Sequence, residues 1–204
     1  ASGGQITVTS TAGVWSTSTT ALTITGTDPR VYVTNATATS VTVSPGTTVG
    51  ISNLLSFYFT AGTYALTLTT SNLFNNLDFT GFAGSLVNGN RTIYGSLTLS
   101  SGMTLGSGST TTTFASTATG KTITSNGQTM PFLIVFNGSG GSWILQDALT
   151  GVVGYPITLS NGTLDLNGKT CTTYGFTVGV GTKNLTFNGG TLISPSGFTT
   201  VSYT

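Results

Sequence analysis

Few residues in this chain can carry chemistry. Its 204 residues include four Asp, one Cys and five Lys or Arg, with no His and no Glu. Without an imidazole, neither a Ser-His-Asp nor a Cys-His relay can be assembled. One Cys and no His leave a zinc centre without ligands, and four scattered carboxylates do not make a calcium loop. The one general acid–base arrangement left open is a carboxylate pair, Asp147 and Asp165, flanking a glycosidic bond. These two would be neighbours if successive coils of a solenoid stacked on each other. In the competing reading, Asp147 caps a turn in LQDAL and Asp165 faces solvent or pairs with Lys169. Cys171 stands alone and cannot form an intrachain disulfide. The GSGG stretch at Gly138 is Gly-rich, but Ser-Trp-Ile-Leu follows it, which reads as a strand and not as a phosphate-cradling helix start. Tyr58, Tyr64 and Tyr94 offer a sugar-stacking platform. In the alternative, they belong with Phe57, Phe59, Phe74, Phe79 and Phe82 to a core between Ile51 and Gly95. No catalytic, cofactor-binding or metal-binding residue is assigned, and no cofactor is expected.

The elements that would position these residues are strands. Stretches such as QITVTST, VYVTN and SVTVS alternate polar and apolar with period two, the pattern of a half-buried strand. Runs of four to six such residues recur between turn signals, and no segment shows a capped 3.6-residue apolar period. Asn-Gly occurs at Asn88, Asn126, Asn137, Asn161, Asn167 and Asn188. It suits a hairpin turn and a solenoid corner equally, because both residues accept positive φ.

Two short elements recur. LTITG at Leu22, LDFTG at Leu77, IVFNG at Ile134 and LTFNG at Leu185 form one series; VTVSPGTTV at Val41, LTLSSGMTL at Leu97 and ITLSNGTLDL at Ile157 form the other. Their spacings, roughly 50 to 60 residues, are long for one coil and imply repeats of two or three coils. The interleaving predicts an all-β chain, a right-handed parallel β-helix or solenoid, with an antiparallel β-sandwich as the alternative. Residues 1–53 form an N-terminal β segment with a capping or attachment role, and 54–204 a repeat-containing solenoid-like domain. Within it, Leu77, Phe79, Ile134, Phe136, Leu185 and Phe187 are expected to point inward at equivalent places. Ser96 to Gly127, poorer in large side chains, reads as slim coils or as a loop. Trp15 is expected to act as a cap or core aromatic.

Composition narrows the class. The chain is 37% hydrophobic and only 4% charged, against roughly 25% charged in typical domains, so it can bury a core but must face water with hydroxyls and amides. Thr alone contributes 46 residues. The five cations, Arg30, Arg91, Lys121, Lys169 and Lys183, form no cluster, so the electrostatic footprint of nucleic-acid binding is missing. No apolar run is long enough for a membrane-spanning helix, which needs roughly 18 residues or more. A start at Ala1 without Met is that of a processed or partial chain. Thr-rich segments such as ALTIT raise the idea of an ice-binding face, but their spacing along the sequence is irregular.

The stretch FNGSGGSWILQDALTGVVGYPITLSNGTLDLNGKTCTTYGF, followed by KNLTFNGGTLIS, resembles a β-helix-type module of bacteriophage fibre and appendage proteins. The likeness covers Leu133 to Ile193 well, Leu77 to Gly127 loosely and the first third hardly at all. It carries no catalytic residues. It implies a non-enzymatic virion structural protein on the particle surface: a head decoration or fibre, or a tail appendage. The implied partners are copies of the chain, as a homotrimer, and other virion proteins, with weak binding to a host glycan. The alternatives are a bacterial surface adhesin passenger and a polysaccharide-binding or -degrading tailspike. Neither nucleic-acid binding nor membrane insertion is expected.

The period-two pattern makes a first prediction. The far-ultraviolet circular dichroism of the purified chain will be that of β structure; helix above about a tenth, where globular proteins average about a third, would contradict it.

Overall fold

The computed structural model describes residues 5–8, 14–16, 30–34, 40–44, 54–68 and 72–200. The described strands at the N-terminal end are β1 (Gln5–Val8), β2 (Val14–Ser16), β3 (Arg30–Val33) and β4 (Ser40–Ser44). The chain then winds through about 7 turns. These run through β5 (Ser56–Phe59), β6 (Ala65–Leu68) and β7 (Asn72–Phe74); β8 (Leu77–Asp78), β9 (Ser85–Leu86) and β10 (Arg91–Ile93); and β11 (Leu97–Thr98), β12 (Thr104–Leu105) and β13 (Thr111–Phe114). They continue through β14 (Lys121–Thr124), β15 (Thr129–Met130), β16 (Leu133–Leu145), β17 (Leu149–Gly151), β18 (Ile157–Asp165), β19 (Thr170–Thr172) and β20 (Phe176–Val178). The last turn is β21 (Lys183–Thr186), β22 (Thr191–Ile193) and β23 (Phe198–Thr200). Among the described residues there is no helix, and so none long and apolar enough to cross a membrane.

Strands pair with their equivalents in adjacent coils, and all pairings are parallel. That excludes the antiparallel sandwich and makes the chain a parallel β-solenoid with three faces. Face one stacks β1, β3, β5, β8, β11, β14, the second half of β16, the second half of β18, and β21. Face two stacks β7, β10, β13, the first halves of β16 and β18, β20 and β23. The third face is split into one sheet of β2, β4, β6, β9 and β12 and another of β15, β17, β19 and β22. Because β16 and β18 run unbroken round the corner between faces two and one, those two faces form a single 14-stranded sheet. The expected division at residue 53 coincides with no break in pairing, since β3 pairs with β5 and β4 with β6.

Parallel stacking puts like on like. On face one the inward positions superpose as Phe57, Leu77, Leu97, Ile123 and Leu145. Successive members of that column are about 20 to 26 residues apart, the size of a short solenoid repeat, and the longest step runs from Leu97 to Ile123. The much longer recurrences in the sequence are therefore not the stacking period. LDFTG and LTFNG lie on face one but IVFNG on face two; VTVSPG lies on the third face, LTLSSG on face one and ITLSNG on face two. LTITG at Leu22 lies outside the described residues, as does the side chain of Trp15. The same local chemistry, an inward apolar pair followed by a Gly-containing corner, is needed on more than one face. It recurs without being in register.

The core is a column of apolar layers. Its wide part holds Phe57, Phe59, Phe74, Phe79, Phe82 and Tyr64, all buried, with Phe59 stacked on Phe79 at 5.0 Å between ring centroids. A second aromatic group joins Phe114, Phe136 and Trp143. Leu77, Phe79, Ile134 and Phe136 point inward as expected, and Leu185 is partly buried against the core. Phe187 does not: it is 45% exposed, because it sits on the last turn, where no coil covers it. Ser96 to Gly127 forms coils through β11 to β14.

Two backbone devices keep the coils close. The corner after face one uses Asn-Gly at Asn126, Asn167 and Asn188, with φ of 49°, 50° and 45°, a region that Asn and Gly enter readily. At the corner inside β16, a Cβ on Gly138 or Gly141 would overlap the carbonyl oxygen of Ser116 in the coil below. The GSGG run is thus a close approach of backbones, within a stretch where the β16–β18 register shifts.

Phe136 is fully buried against Phe114 and Trp143. Phe136→Ala should destabilise the fold by about 3–5 kcal/mol, read as a lowered midpoint in denaturant unfolding. A loss below about 1 kcal/mol would mean that the layer is not packed as described.

Candidate functional site

The structure places both candidate carboxylates at the corner after face one, and both are engaged. Asp147, in the turn after β16, accepts the backbone N–H of Ser125 at 2.7 Å and that of Asn126 through its other oxygen. It thereby caps the Asn126-Gly127 corner of the preceding coil. Asp165, at the end of β18, accepts the backbone N–H of Asn167 at 2.8 Å and the side-chain amide of Asn188 at 2.9 and 3.0 Å. Its partners are amides and not Lys169. Asp78 does the same locally, accepting the N–H of Thr80 at 2.8 Å. Asp28 lies outside the described residues. Corner side chains also bond between coils: Asn126 donates to Leu99 O, Asn167 to Leu145 O, and Gln128 to the carbonyls of Ser100, Ser101 and Met103. The pattern is a ladder of caps, with each carboxylate spent on N–H groups that the corner leaves without strand partners.

The three tyrosines do not form a platform. Tyr64 is core, and burial pushes its phenol up to about 12. Tyr58 is half-buried on the outside of face one, and Tyr94 lies at the end of the face-two strand β10. Tyr58 stacks instead on Tyr32 of the coil below, at 5.0 Å and 18°, with the Arg30 guanidinium 5.6 Å from its ring centroid. The stack takes up one face of each ring, which reduces the ring surface open to a sugar.

Charge is segregated. Arg30, Asp78, Lys121, Asp147, Asp165, Lys169 and Lys183 all lie on face-one strands or in the turn that follows them. Among the described residues, face two and the third face carry no solvent-facing charge. Face two instead shows an in-register outward row of Thr92, Thr113, Val135, Thr158, Thr177 and Thr199. Hydroxyls that look irregularly spaced along the sequence thus fall into one in-register row, interrupted by Val135. No three potential ligands among His, Cys, Asp and Glu gather in one place among the described residues. Cys171 is fully buried and free, and burial pushes its thiol up to about 12, which keeps it protonated and unreactive at neutral pH.

One charged residue breaks this pattern, and sequence reasoning missed it. Arg91, the first residue of β10, is 5% exposed. Desolvation lowers its guanidinium to about 10, so it stays charged at neutral pH. The signal was present in RTI: Arg91 shares its inward parity with Ile93.

No family model matches the chain, and neither a curated protein nor a solved structure shows significant similarity to it.

The capping role of Asp147 predicts a structural effect. Asp147→Asn keeps one acceptor oxygen and loses the charge and one of two backbone hydrogen bonds, so it should destabilise by about 1–2 kcal/mol, measured by thermal unfolding. No change would mean that the Asn126 corner does not depend on the carboxylate.

Proposed function

We propose that this chain is a non-enzymatic structural element of a bacteriophage particle surface, a head decoration or fibre or a tail appendage, working as an assembly with copies of itself. The observation that carries the reading is the last turn. Among the described residues, β21, β22 and β23 pair only with the coil before them. Among the described residues their outer backbone edges have no partner and no coil covers the core above them; either a subunit contact or a continuation of the chain past Thr204 would supply both. Phe187 and Phe198 are 45% and 51% exposed, although Phe198 occupies the inward position that stacks on Phe176 at 5.5 Å. Open strand edges next to uncovered apolar layers invite further pairing.

Three further features support the reading. The charge-free faces lack the repulsion that would keep copies apart. The carboxylates available for glycoside hydrolysis are held as corner caps, which favours a structural role over a degrading tailspike. The phage fibre module that the second half of the sequence resembles consists of the same Gly-cornered strands. A host glycan, on this reading, meets hydroxyls and amides and no stacking platform.

The test is assembly. Light scattering after size exclusion should report an oligomer, with a trimer expected from the resemblance. Phe198→Asp, placing a charge on the uncovered layer, should shift it towards monomer without unfolding it. A monodisperse monomer at high concentration would overturn the proposal. So would polysaccharide cleavage that is lost on Asp147→Asn or Asp165→Asn.

A further inference from the structure

The six Asn-Gly pairs share a sequence signature but not a structural setting. In such a pair the Gly nitrogen can attack the Asn side-chain carbonyl, because Gly, having no Cβ, leaves the approach open. Ring closure requires the peptide plane to turn towards the side chain, so a pair held firmly by its neighbours does not react. Gly89, Gly138 and Gly162 are buried, and the Gly162 N–H donates to Thr182 O at 2.9 Å. The other three pairs form the column of exposed corners after face one, at Asn126, Asn167 and Asn188. Two of these corners are clamped from both sides. Asn126 donates to Leu99 O in the coil below at 2.6 Å, and Asp147 holds its backbone N–H from the coil above. Asn167 donates to Leu145 O below at 3.0 Å, and the Gly168 N–H donates to Phe187 O above at 3.4 Å.

Among the described residues, Asn188-Gly189 is held from the coil below alone. Asn188 Nδ2 donates to both oxygens of Asp165 there, at 3.0 and 2.9 Å. The Gly189 N–H has no hydrogen-bond partner among the described residues, and both residues are exposed. The bonds that close the turn, Gly190 N–H to Phe187 O at 2.7 Å and Thr191 N–H to Lys169 O at 3.1 Å, come after the pair. Segments held by few hydrogen bonds open locally at the least cost. The exposed pair with the weakest clamp is thus also the one whose attacking nitrogen is free.

We propose that Asn188-Gly189 is a self-modification site, where the chain deamidates through a succinimide, and that the product loosens the last turn. The Gly189 nitrogen gives its proton to solvent base and attacks Asn188 Cγ. The N–Cγ bond forms, the Cγ–Nδ2 bond breaks and the amide nitrogen leaves as ammonia. Water then opens the ring at either carbonyl, leaving aspartate or isoaspartate at position 188. Base and water are the only reagents. Either product puts a carboxylate where an amide donated to Asp165, so a hydrogen-bonded contact between coils becomes one between like charges. The chemistry does not depend on the assembly proposed above; a further coil over the last turn would clamp the corner and slow it.

The test is peptide mapping of the folded chain during incubation at mildly alkaline pH. Mass spectra should show ammonia exchanged for water at Asn188 about fivefold faster than at Asn126 or Asn167, the factor that one further hydrogen bond imposes on local opening. In the denatured chain the three sites should react at similar rates. Both measurements are repeated on Phe198→Asp, so that a contact covering the last turn cannot hide the site. Equal rates at the three corners in both folded chains, or a preference for Asn188 that persists on denaturation, overturns the proposal. The consequence is read separately. Asn188→Asp should lower the melting temperature at neutral pH by about 2–4 °C. Adding Asp165→Asn, which rebuilds the donor–acceptor pair with its roles exchanged, should restore it. A loss that Asp165→Asn leaves in place would defeat the claim that facing carboxylates loosen the turn.

Discussion

Every feature of this molecule depends on the in-register parallel stacking of coils. Backbone N–H and C=O groups of one coil are satisfied by the coils on either side, so the fold does not need charged pairs to hold its strands together. The same stacking dictates side-chain type by column. An inward position lies over inward positions in the coils above and below, about 4.8 Å away, and only apolar groups can occupy it repeatedly. Phe57, Leu77, Leu97, Ile123 and Leu145 form such a column. Thr92, Thr113, Val135, Thr158 and Thr177 form an outward one. A chain with 4% charge suits this arrangement, because like charges stacked in a column would repel at each step.

Corners pose a separate problem. A strand that turns sharply three times per coil leaves N–H groups that the ladder cannot reach. The chain meets it with short amides and carboxylates that reach to an adjacent coil: Asp147 to Asn126, Asn167 to Leu145, Asn188 to Asp165. This accounts for the fate of the residues that looked catalytic. Two carboxylates at comparable points of neighbouring coils are what glycoside hydrolysis asks for, and equally what corner capping asks for. Hydrogen-bond partners separate the two cases, and at Asp147 and Asp165 those partners are backbone and side-chain amides.

The fold class was legible in the sequence because stacking leaves a local trace: period-two alternation, Asn-Gly corners and no helical period. The coil length was not. Coils differ in length, with the step from Leu97 to Ile123 longer than that from Leu77 to Leu97, because corners absorb insertions. The motif that recurs is set by what a strand and its corner need on more than one face, so LDFTG on face one and IVFNG on face two look alike without being stacked. The aromatic content between Ile51 and Gly95 was read as core or platform; burial decides for core at Tyr64, while Tyr58 is taken up by a stack with Tyr32. Arg91 shows the limit of parity. Alternation places it inward beside Ile93, but no local rule says that a cation should be there, and only the neighbouring coil supplies Thr112 and Phe132 around it.

The stacking rule also bears on the last described turn. Inside the stack, strands of faces one and two are paired with the coils on either side and the core is covered, although β12 and β15 of the split third face have one partner each, so the outer faces can remain plain hydroxyl and methyl. Among the described residues, the last turn has one edge and one core surface satisfied. Its side chains are the same types as in the coils below: Phe198 continues the position of Phe176, and Leu192 that of Cys171. Nothing in their chemistry marks them as surface residues. A cap designed for water would bring charge or Pro to such an edge; here Lys183, at the start of β21, is the one cation on the β21, β22 and β23 strands. Interior-type residues on the last described turn are what a further coil would cover, whether a continuation of the chain or a partner with its own strand edge supplies it.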